Sequence, residues 1–303
     1  MQNSGYHEPV LLREAVSGLV TKPDGIYIDG TLGGGGHSKH ILSMLNPEGV
    51  LYGVDQDEDA LKEASSLLGQ DSRFNTVKGN FGFIDVLSPK QILGKVSGIL
   101  LDLGVSSHQI NEPQRGFSFR AEGPLDMRMG KLTGTTASDI LNNWSHGDMA
   151  HIFRQYGEEK FSGKIAAAVL AARPLHNTSD LVSAIDSVTP DRFRTKTYAR
   201  IFQAIRIEVN QEIEMLKQVL ERGTKMLAPK GRLVVISYHS LEDRLVKNWF
   251  KSGNFEGKVE KDFFGNAIKP LESTHSGAIK PSKEEINRNP RARSARLRIA
   301  EKN

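Results

Sequence analysis

No cysteine occurs among the 303 residues, which excludes disulfides, thiolate nucleophiles and zinc–thiolate centres. No apolar run approaches the roughly twenty residues needed to cross a bilayer. The opening Met1-Gln2-Asn3-Ser4-Gly5 lacks the basic-then-apolar order of a secretory signal. Together these absences favour a cytoplasmic protein without membrane contact. The nine histidines show no metal-binding spacing, and no required metal is expected. Neither sign of charge dominates, with 40 Lys and Arg against 36 Asp and Glu, but the basic residues are clustered. One run, Arg192-Phe193-Arg194-Thr195-Lys196-Thr197-Tyr198-Ala199-Arg200, lies mid-chain, and another, Arg288-Asn289-Pro290-Arg291-Ala292-Arg293-Ser294-Ala295-Arg296-Leu297-Arg298, lies in the last stretch. Each reads either as a solvated face or as a nucleic-acid contact.

Strand and helix signals alternate through the first third of the chain. Short apolar runs predict strands over 26–29, 50–55, 74–77 and 97–103, the last apolar enough to be buried on both faces. Helical patterns over 37–45 and 59–68 lie between them, implying βαβ units and a parallel sheet. From about 110 to 209 the pattern gives turns and helices, with Asn177-Thr178-Ser179-Asp180 offering helix-capping residues. A long helix over about 208–227, ended by Pro229-Lys230-Gly231, leads to a strand over 232–237, where the α/β pattern resumes. The period-two pattern of Ala295-Arg296-Leu297-Arg298-Ile299 predicts a final, half-exposed or edge strand. The expected organisation is an α/β domain in two parts, 1–109 and 210–303, interrupted by an inserted helical domain, 110–209.

Where the first strand meets its helix lies Asp29-Gly30-Thr31-Leu32-Gly33-Gly34-Gly35-Gly36-His37. Glycines serve where backbone must approach a ligand or adopt positive φ, and this end of the strand is the usual ligand crevice of an open α/β sheet. A dinucleotide fingerprint counted from Gly33 would need glycine where Ser38 stands, and the Gly-Lys-Ser/Thr of a phosphate loop is missing. S-adenosylmethionine carries no phosphate and needs a carboxylate for its ribose. Asp55, ending the second strand about twenty residues on, supplies one. Asp102 ends the fourth strand, and Phe81, just after the third, either stacks on the adenine or packs in the core.

Methyl transfer requires an acceptor held in line with the methyl group. Covalent attack by cysteine on a pyrimidine ring carbon is excluded, leaving an exocyclic amine or a hydroxyl as acceptor. An amine on a base is a poor nucleophile and needs hydrogen-bond acceptors to orient it. Asp102, Ser106 and Ser107 have that chemistry, although the two serines also suit a helix cap. His239, at the end of the fifth strand, is a candidate base or a structural histidine.

These residues fall in segments that closely resemble the bacterial 16S ribosomal RNA cytosine-N4 methyltransferases of the H type. The matching motifs are Tyr6-His7-Glu8-Pro9-Val10-Leu11-Leu12, the glycine segment through Ser38, Gly53-Val54-Asp55-Gln56-Asp57, Asp102-Leu103-Gly104-Val105-Ser106-Ser107, Gln114-Arg115-Gly116-Phe117-Ser118-Phe119, Pro124-Leu125-Asp126-Met127-Arg128-Met129, Arg206-Ile207-Glu208-Val209-Asn210, Ser237-Tyr238-His239-Ser240-Leu241-Glu242-Asp243-Arg244 and Arg291-Ala292-Arg293-Ser294-Ala295-Arg296. The resemblance implies a class I, Rossmann-like methyltransferase fold, mostly parallel with an antiparallel edge strand, and an inserted helical domain for RNA recognition. It implies methyl transfer from S-adenosyl-L-methionine to N4 of a cytidine in the decoding region of 16S rRNA in the small ribosomal subunit. Cofactor contacts are implied at Gly35, Gly36, His37, Asp55, Phe81, Asp102 and Gln109. The family is cytoplasmic, and dimers are known in it. Arg194, Arg200, Arg291 and Arg296 of the basic runs, with Arg115 and Arg128 of the matching motifs, are the candidate RNA contacts. The Pro-Pro-aromatic motif of DNA amino-methyltransferases is missing, since Leu103-Gly104-Val105 follows Asp102. Catalytic roles therefore do not transfer from those enzymes.

Overall fold

A computed structural model describes residues 9–130 and 134–303; Tyr6, His7 and Glu8 of the first motif lie outside the described residues. In chain order the elements are α1 (Leu12–Leu19), β1 (Ile26–Asp29), α2 (Gly36–Met44), β2 (Val50–Asp55), α3 (Glu58–Leu68), β3 (Phe74–Lys78), α4 (Ile84–Leu87) and β4 (Val96–Asp102). Then come α5 (Ser107–Asn111), α6 (Ala137–Asn143), α7 (His146–Gln155), α8 (Ser162–Ala171), α9 (Thr178–Asp186), α10 (Arg194–Asn210) and α11 (Glu212–Met226). The chain ends through β5 (Leu227–Ser237), α12 (Ser240–Ser252), β6 (Leu271–Ser273), α13 (Lys283–Arg288) and β7 (Arg296–Lys302).

The chain divides into two compact units: the described residues up to Gly104 together with Ile213–Asn303, and Val105–Glu212. In the first unit seven strands form one sheet in the order β3-β2-β1-β4-β5-β7-β6. β1 to β5 are parallel, and β7 runs antiparallel to both β5 and β6. Chain order reverses between β1 and β4, the topological switch point beside which open α/β sheets bind ligands.

Strand periodicity explains why both faces are covered. Successive side chains point to opposite faces. Ile99 and Leu101 of β4 accordingly join a core with Leu216, Val219 and Leu220 of α11 and Val246, Trp249 and Phe250 of α12. Leu100, between them, joins the other core, with Val16 and Leu19 of α1 and Ile41 and Leu42 of α2. Truncating such a fully buried residue costs about 2–5 kcal/mol.

The final strand is antiparallel as expected but is not an edge. β6, only three residues long, pairs along its outer side, and so short a segment carries too little periodicity to be read. The helix expected over 208–227 is interrupted at Gln211, whose φ is +52°; α10 closes there and α11 begins anew. Pro229-Lys230-Gly231 does not precede β5 but falls within it. Pairing with β4 shifts register between Val96 and Gly98, and Lys230 takes a φ of +65°.

The second unit carries α5 to α10 and no strand of the sheet among its described residues. Its core gathers Ile140, Met149, Phe153, Ile165, Val169, Leu181, Ile185, Ile201 and Ile205. The unit runs from Val105 to Glu212, beside the expected 110–209. Ser106 and Gln109 already form the capping box of α5, so Ser106, Ser107 and Gln109 belong to the helical unit.

Candidate active site

The ends of β1, β2, β3, β4 and β5 bring the acidic and glycine residues of the first unit together. After β1 the backbone N–H of Leu32 donates to Val54 O, drawing the turn against β2. Gly33, at φ +49°, then donates its N–H to Asp55 Oδ2 at 2.9 Å. Among the described residues, and leaving aside its chain neighbours, no atom but Thr31 O, 3.9 Å away, lies near the position a Gly33 Cβ would take. Gly36 differs, because a Cβ there would meet Pro9 Cγ at 2.4 Å. Among the described residues, Gly33 leaves open space beside the Asp55 carboxylate, whereas the Cα of Gly36 packs against Pro9.

Asp55 accepts from Gly33 with one oxygen and from the Asp57 N–H, 2.9 Å away, with the other. Burial raises its pKa despite these bonds. Each oxygen keeps a second lone pair that a diol can use. Asn80 caps the turn after β3 by accepting from the Gly82 N–H, and Phe81 is half-buried against the core formed with α11 and α12.

Asp102 ends β4 with its side chain 23% exposed. Its N–H donates to Thr31 Oγ1 at 2.6 Å, and the Tyr238 hydroxyl donates to its Oδ1 at 2.8 Å. Burial pushes its carboxyl up to about 7, a rise opposed by the Tyr238 hydrogen bond and aided by the charge of Glu242. His37 Nδ1 lies 3.7 Å from Asp102 Oδ2, while its Nε2 is 3.1 Å from Val10 O. Burial lowers the imidazole pKa. Beneath the turn, Asp29 is 1% exposed and accepts from Ser38 Oγ at 2.7 Å.

Among the expected site residues, Gly35, Gly36, His37, Asp55, Phe81, Asp102 and His239 lie in this α/β unit. Ser106, Ser107 and Gln109 lie in the other, where Ser106 Oγ accepts from the Gln109 N–H and Gln109 Oε1 accepts from the Ser106 N–H. His239 is the N-cap of α12. Its Nδ1 faces the Glu242 N–H at 3.5 Å, and Glu242 Oε2 accepts from the Tyr238 N–H at 2.9 Å. His239 Nε2 sits 3.1 Å from Glu242 Oε1 without the alignment of a hydrogen bond.

The expected RNA arginines have partners within the chain. Arg115 is buried and donates to the carbonyls of Arg128 and Met129. Arg128 is bidentate on Asp126. Arg194 bridges Asp186 and Asp191, each at 3.0 Å, and Arg200 bridges Glu159 at 3.2 Å. Arg296 and Arg298 both bond Asp243. Burial opposes ionisation of Asp243, but the guanidinium groups of Arg298 and Arg296 outweigh it and keep the carboxyl below its usual range. The Arg291 N–H donates to Asn289 Oδ1. Thr31 and Tyr238, which hold Asp102, lie within the matching motifs, but nothing in the sequence marks either as a partner of Asp102.

Asp29, Asp55, Asp102 and Glu242 surround these strand ends with carboxylates, and His37 is held neutral. That charge balance suits a cationic ligand with a diol and disfavours a pyrophosphate. The strand order and this acidic, glycine-turned crevice are those of a class I S-adenosylmethionine-dependent methyltransferase, and the residues present fit that cofactor. The chain belongs to the MraW methylase family, whose model matches residues 4–303. It is 49% identical to Ribosomal RNA small subunit methyltransferase H of Parabacteroides distasonis, over 99% of each chain. It is 51% identical to the protein of the same name from Phocaeicola vulgatus, over 98% of this chain and 97% of that one. Two solved structures it resembles are more distant. An rRNA methylase from Streptococcus thermophilus is 13% identical, covering 95% of this chain and 91% of its own, at a TM-score of 0.39. A SAM-dependent methyltransferase from Aquifex aeolicus is 8% identical, covering 98% and 92%, at a TM-score of 0.40.

Proposed function

We propose that this enzyme methylates the exocyclic N4 of a cytidine in the decoding region of 16S rRNA, within the small ribosomal subunit. The observation that carries this reading is full-length identity near one half, 49% and 51%, to proteins named Ribosomal RNA small subunit methyltransferase H. The N4 position and the decoding region come from the motif resemblance.

When bound, S-adenosylmethionine supplies a methyl group activated by its sulfonium. Asp55 accepts the ribose hydroxyls, Phe81 flanks the adenine, and Gly35, Gly36 and His37 complete the contacts from the α/β unit; Gln109 enters only through the motif resemblance. Asp102 accepts a hydrogen bond from the cytosine amine and takes up the proton that nitrogen must lose. An ionised carboxylate offers about four lone-pair sites, and Tyr238 uses one of them. Fixing the amine costs its entropy before the reaction, the main lever for a weak nucleophile. Ser106 and His239 act through helix caps, which set the backbone that carries the site. The helical unit supplies the RNA-recognition surface.

The test uses small subunits from a strain that lacks this methylation. Incubation with the protein and methyl-labelled S-adenosylmethionine, followed by nucleoside digestion, is expected to yield labelled N4-methylcytidine. Label recovered only in ring-carbon-methylated nucleosides or in protein overturns the reading.

A further inference from the structure

His37 has one tautomer that fits its neighbours. Its Nε2 lies 3.1 Å from the Val10 carbonyl oxygen, which can only accept, so Nε2 carries the hydrogen. With the ring held neutral by burial, Nδ1 is a bare lone pair. It faces Asp102 Oδ2 at 3.7 Å, too far for a hydrogen bond. With Asp102 ionised, two acceptors thus look at each other across a gap, and neither has a donor in the other.

The donors that the neighbouring hydrogen bonds identify are committed elsewhere. The Ser38 hydroxyl is spent on Asp29 Oδ2 and the Thr31 N–H on Asp29 Oδ1. Thr31 Oγ1 accepts from the Asp102 N–H. The Tyr238 hydroxyl is spent on Oδ1 of Asp102. The charged groups felt here are Asp29 from β1, His40 from α2 and Glu242 from α12. A cationic group with several N–H donors satisfies both acceptors at once. S-adenosylmethionine carries one, its α-amino group; its ribose hydroxyls are matched by Asp55 at the end of β2 and its adenine by Phe81 after β3.

We propose that Tyr238 is a positioning residue for the cofactor: by occupying Oδ1 of Asp102, its hydroxyl turns Oδ2 toward His37 Nδ1, so that the two accept together from the cofactor's ammonium group. The proposal rests on the reading of Asp102 and His37 as cofactor contacts. Tyr238 touches neither substrate nor cofactor; it acts through Asp102.

The experiment is calorimetric titration of the full chain with S-adenosylhomocysteine and with its analogue lacking the α-amino group. In the wild type the amino-bearing ligand binds more tightly. Tyr238→Phe, which removes one oxygen and keeps the ring, is expected to weaken S-adenosylhomocysteine about tenfold, as removal of one charge-assisted hydrogen bond would. It should leave the deamino analogue within about twofold. Equal weakening of both ligands, or of neither, overturns the proposal. Asp102→Asn separates its two layers. If that variant keeps full discrimination between the ligands, Asp102 is not the ammonium acceptor and the underlying reading falls. If Asp102→Asn loses discrimination while Tyr238→Phe keeps it, the role of Tyr238 alone is overturned.

Discussion

Asp55 and Asp102 are carboxylates of the same type at the ends of parallel strands, yet their surroundings suit them to different work. Asp55 is pinned by two backbone N–H donors, which fixes its geometry for a neutral diol. Asp102 has a single side-chain donor, Tyr238, against a large burial penalty, and its carboxyl sits at about 7. An acid with a pKa near working pH is suited to accepting a proton. Because that pKa is raised, the charged form is lost early as pH falls. In the free enzyme kcat/KM is therefore expected to drop about tenfold per pH unit below about 7. Asp102→Asn should abolish that limb along with most activity. A pH–rate profile with a flat region between about 5 and 7 would remove Asp102 from proton transfer. The arginines carry a different lesson: Arg128 and Arg296 are held by Asp126 and Asp243, so a basic side chain within a basic run is not thereby available to a phosphate.

Helix caps account for several residues whose chemistry also suits catalysis. Ser106 with Gln109, Asn177 with Asp180 and His239 with Glu242 each form a reciprocal pair, side chain to backbone in both directions. Such a pair satisfies two of the N–H groups that a helix start leaves open. Asn177 Oδ1 accepts from the Asp180 N–H at 2.9 Å, and Asp180 Oδ2 accepts from the Asn177 N–H at 3.2 Å. Asn177→Ala is expected to cost about 1 kcal/mol of stability without changing cofactor affinity. Chemical denaturation with cofactor titration measures both; an unchanged midpoint would show that solvent replaces the cap. Charge pairing works at the same scale, since Asp243 on α12 joins Arg296 and Arg298 on β7 and ties helix to sheet.

At the scale of the whole chain, acids gather at the strand ends of the α/β unit, whereas binding a polyanion calls on exposed bases. In the helical unit Lys160, Lys164 and Lys196 are exposed, unlike Arg200, which is committed to the buried Glu159. Exchanging the three lysines for glutamine is expected to weaken RNA binding. It should flatten the dependence of log affinity on log salt by about 0.7 to 0.9 for each phosphate no longer neutralised. Cofactor affinity should stay unchanged. Filter binding over a salt series reads the slope, and an unaltered slope places the RNA surface away from these lysines. Charge reversal at Arg200 is a poorer probe, because it strands a buried carboxylate and destabilises the fold.

The sequence by itself determined the parallel strands, the glycine turn and the two strand-end acids, because local periodicity and spacing encode them. Residues 26–29 and 50–55 carry the patterns of the strands that form, and Asp55 stands out by its distance from the glycines. Only the tertiary structure decided the rest. The short β6 makes β7 an interior strand, a matter of pairing that three residues cannot announce. The helix break at Gln211 depends on a backbone conformation that its residue type does not require. The partners of Asp102 come from Thr31 and Tyr238, 71 and 136 residues away in sequence. Protonation at that site is set by burial and by contacts between distant segments, neither of which exists until the chain has folded.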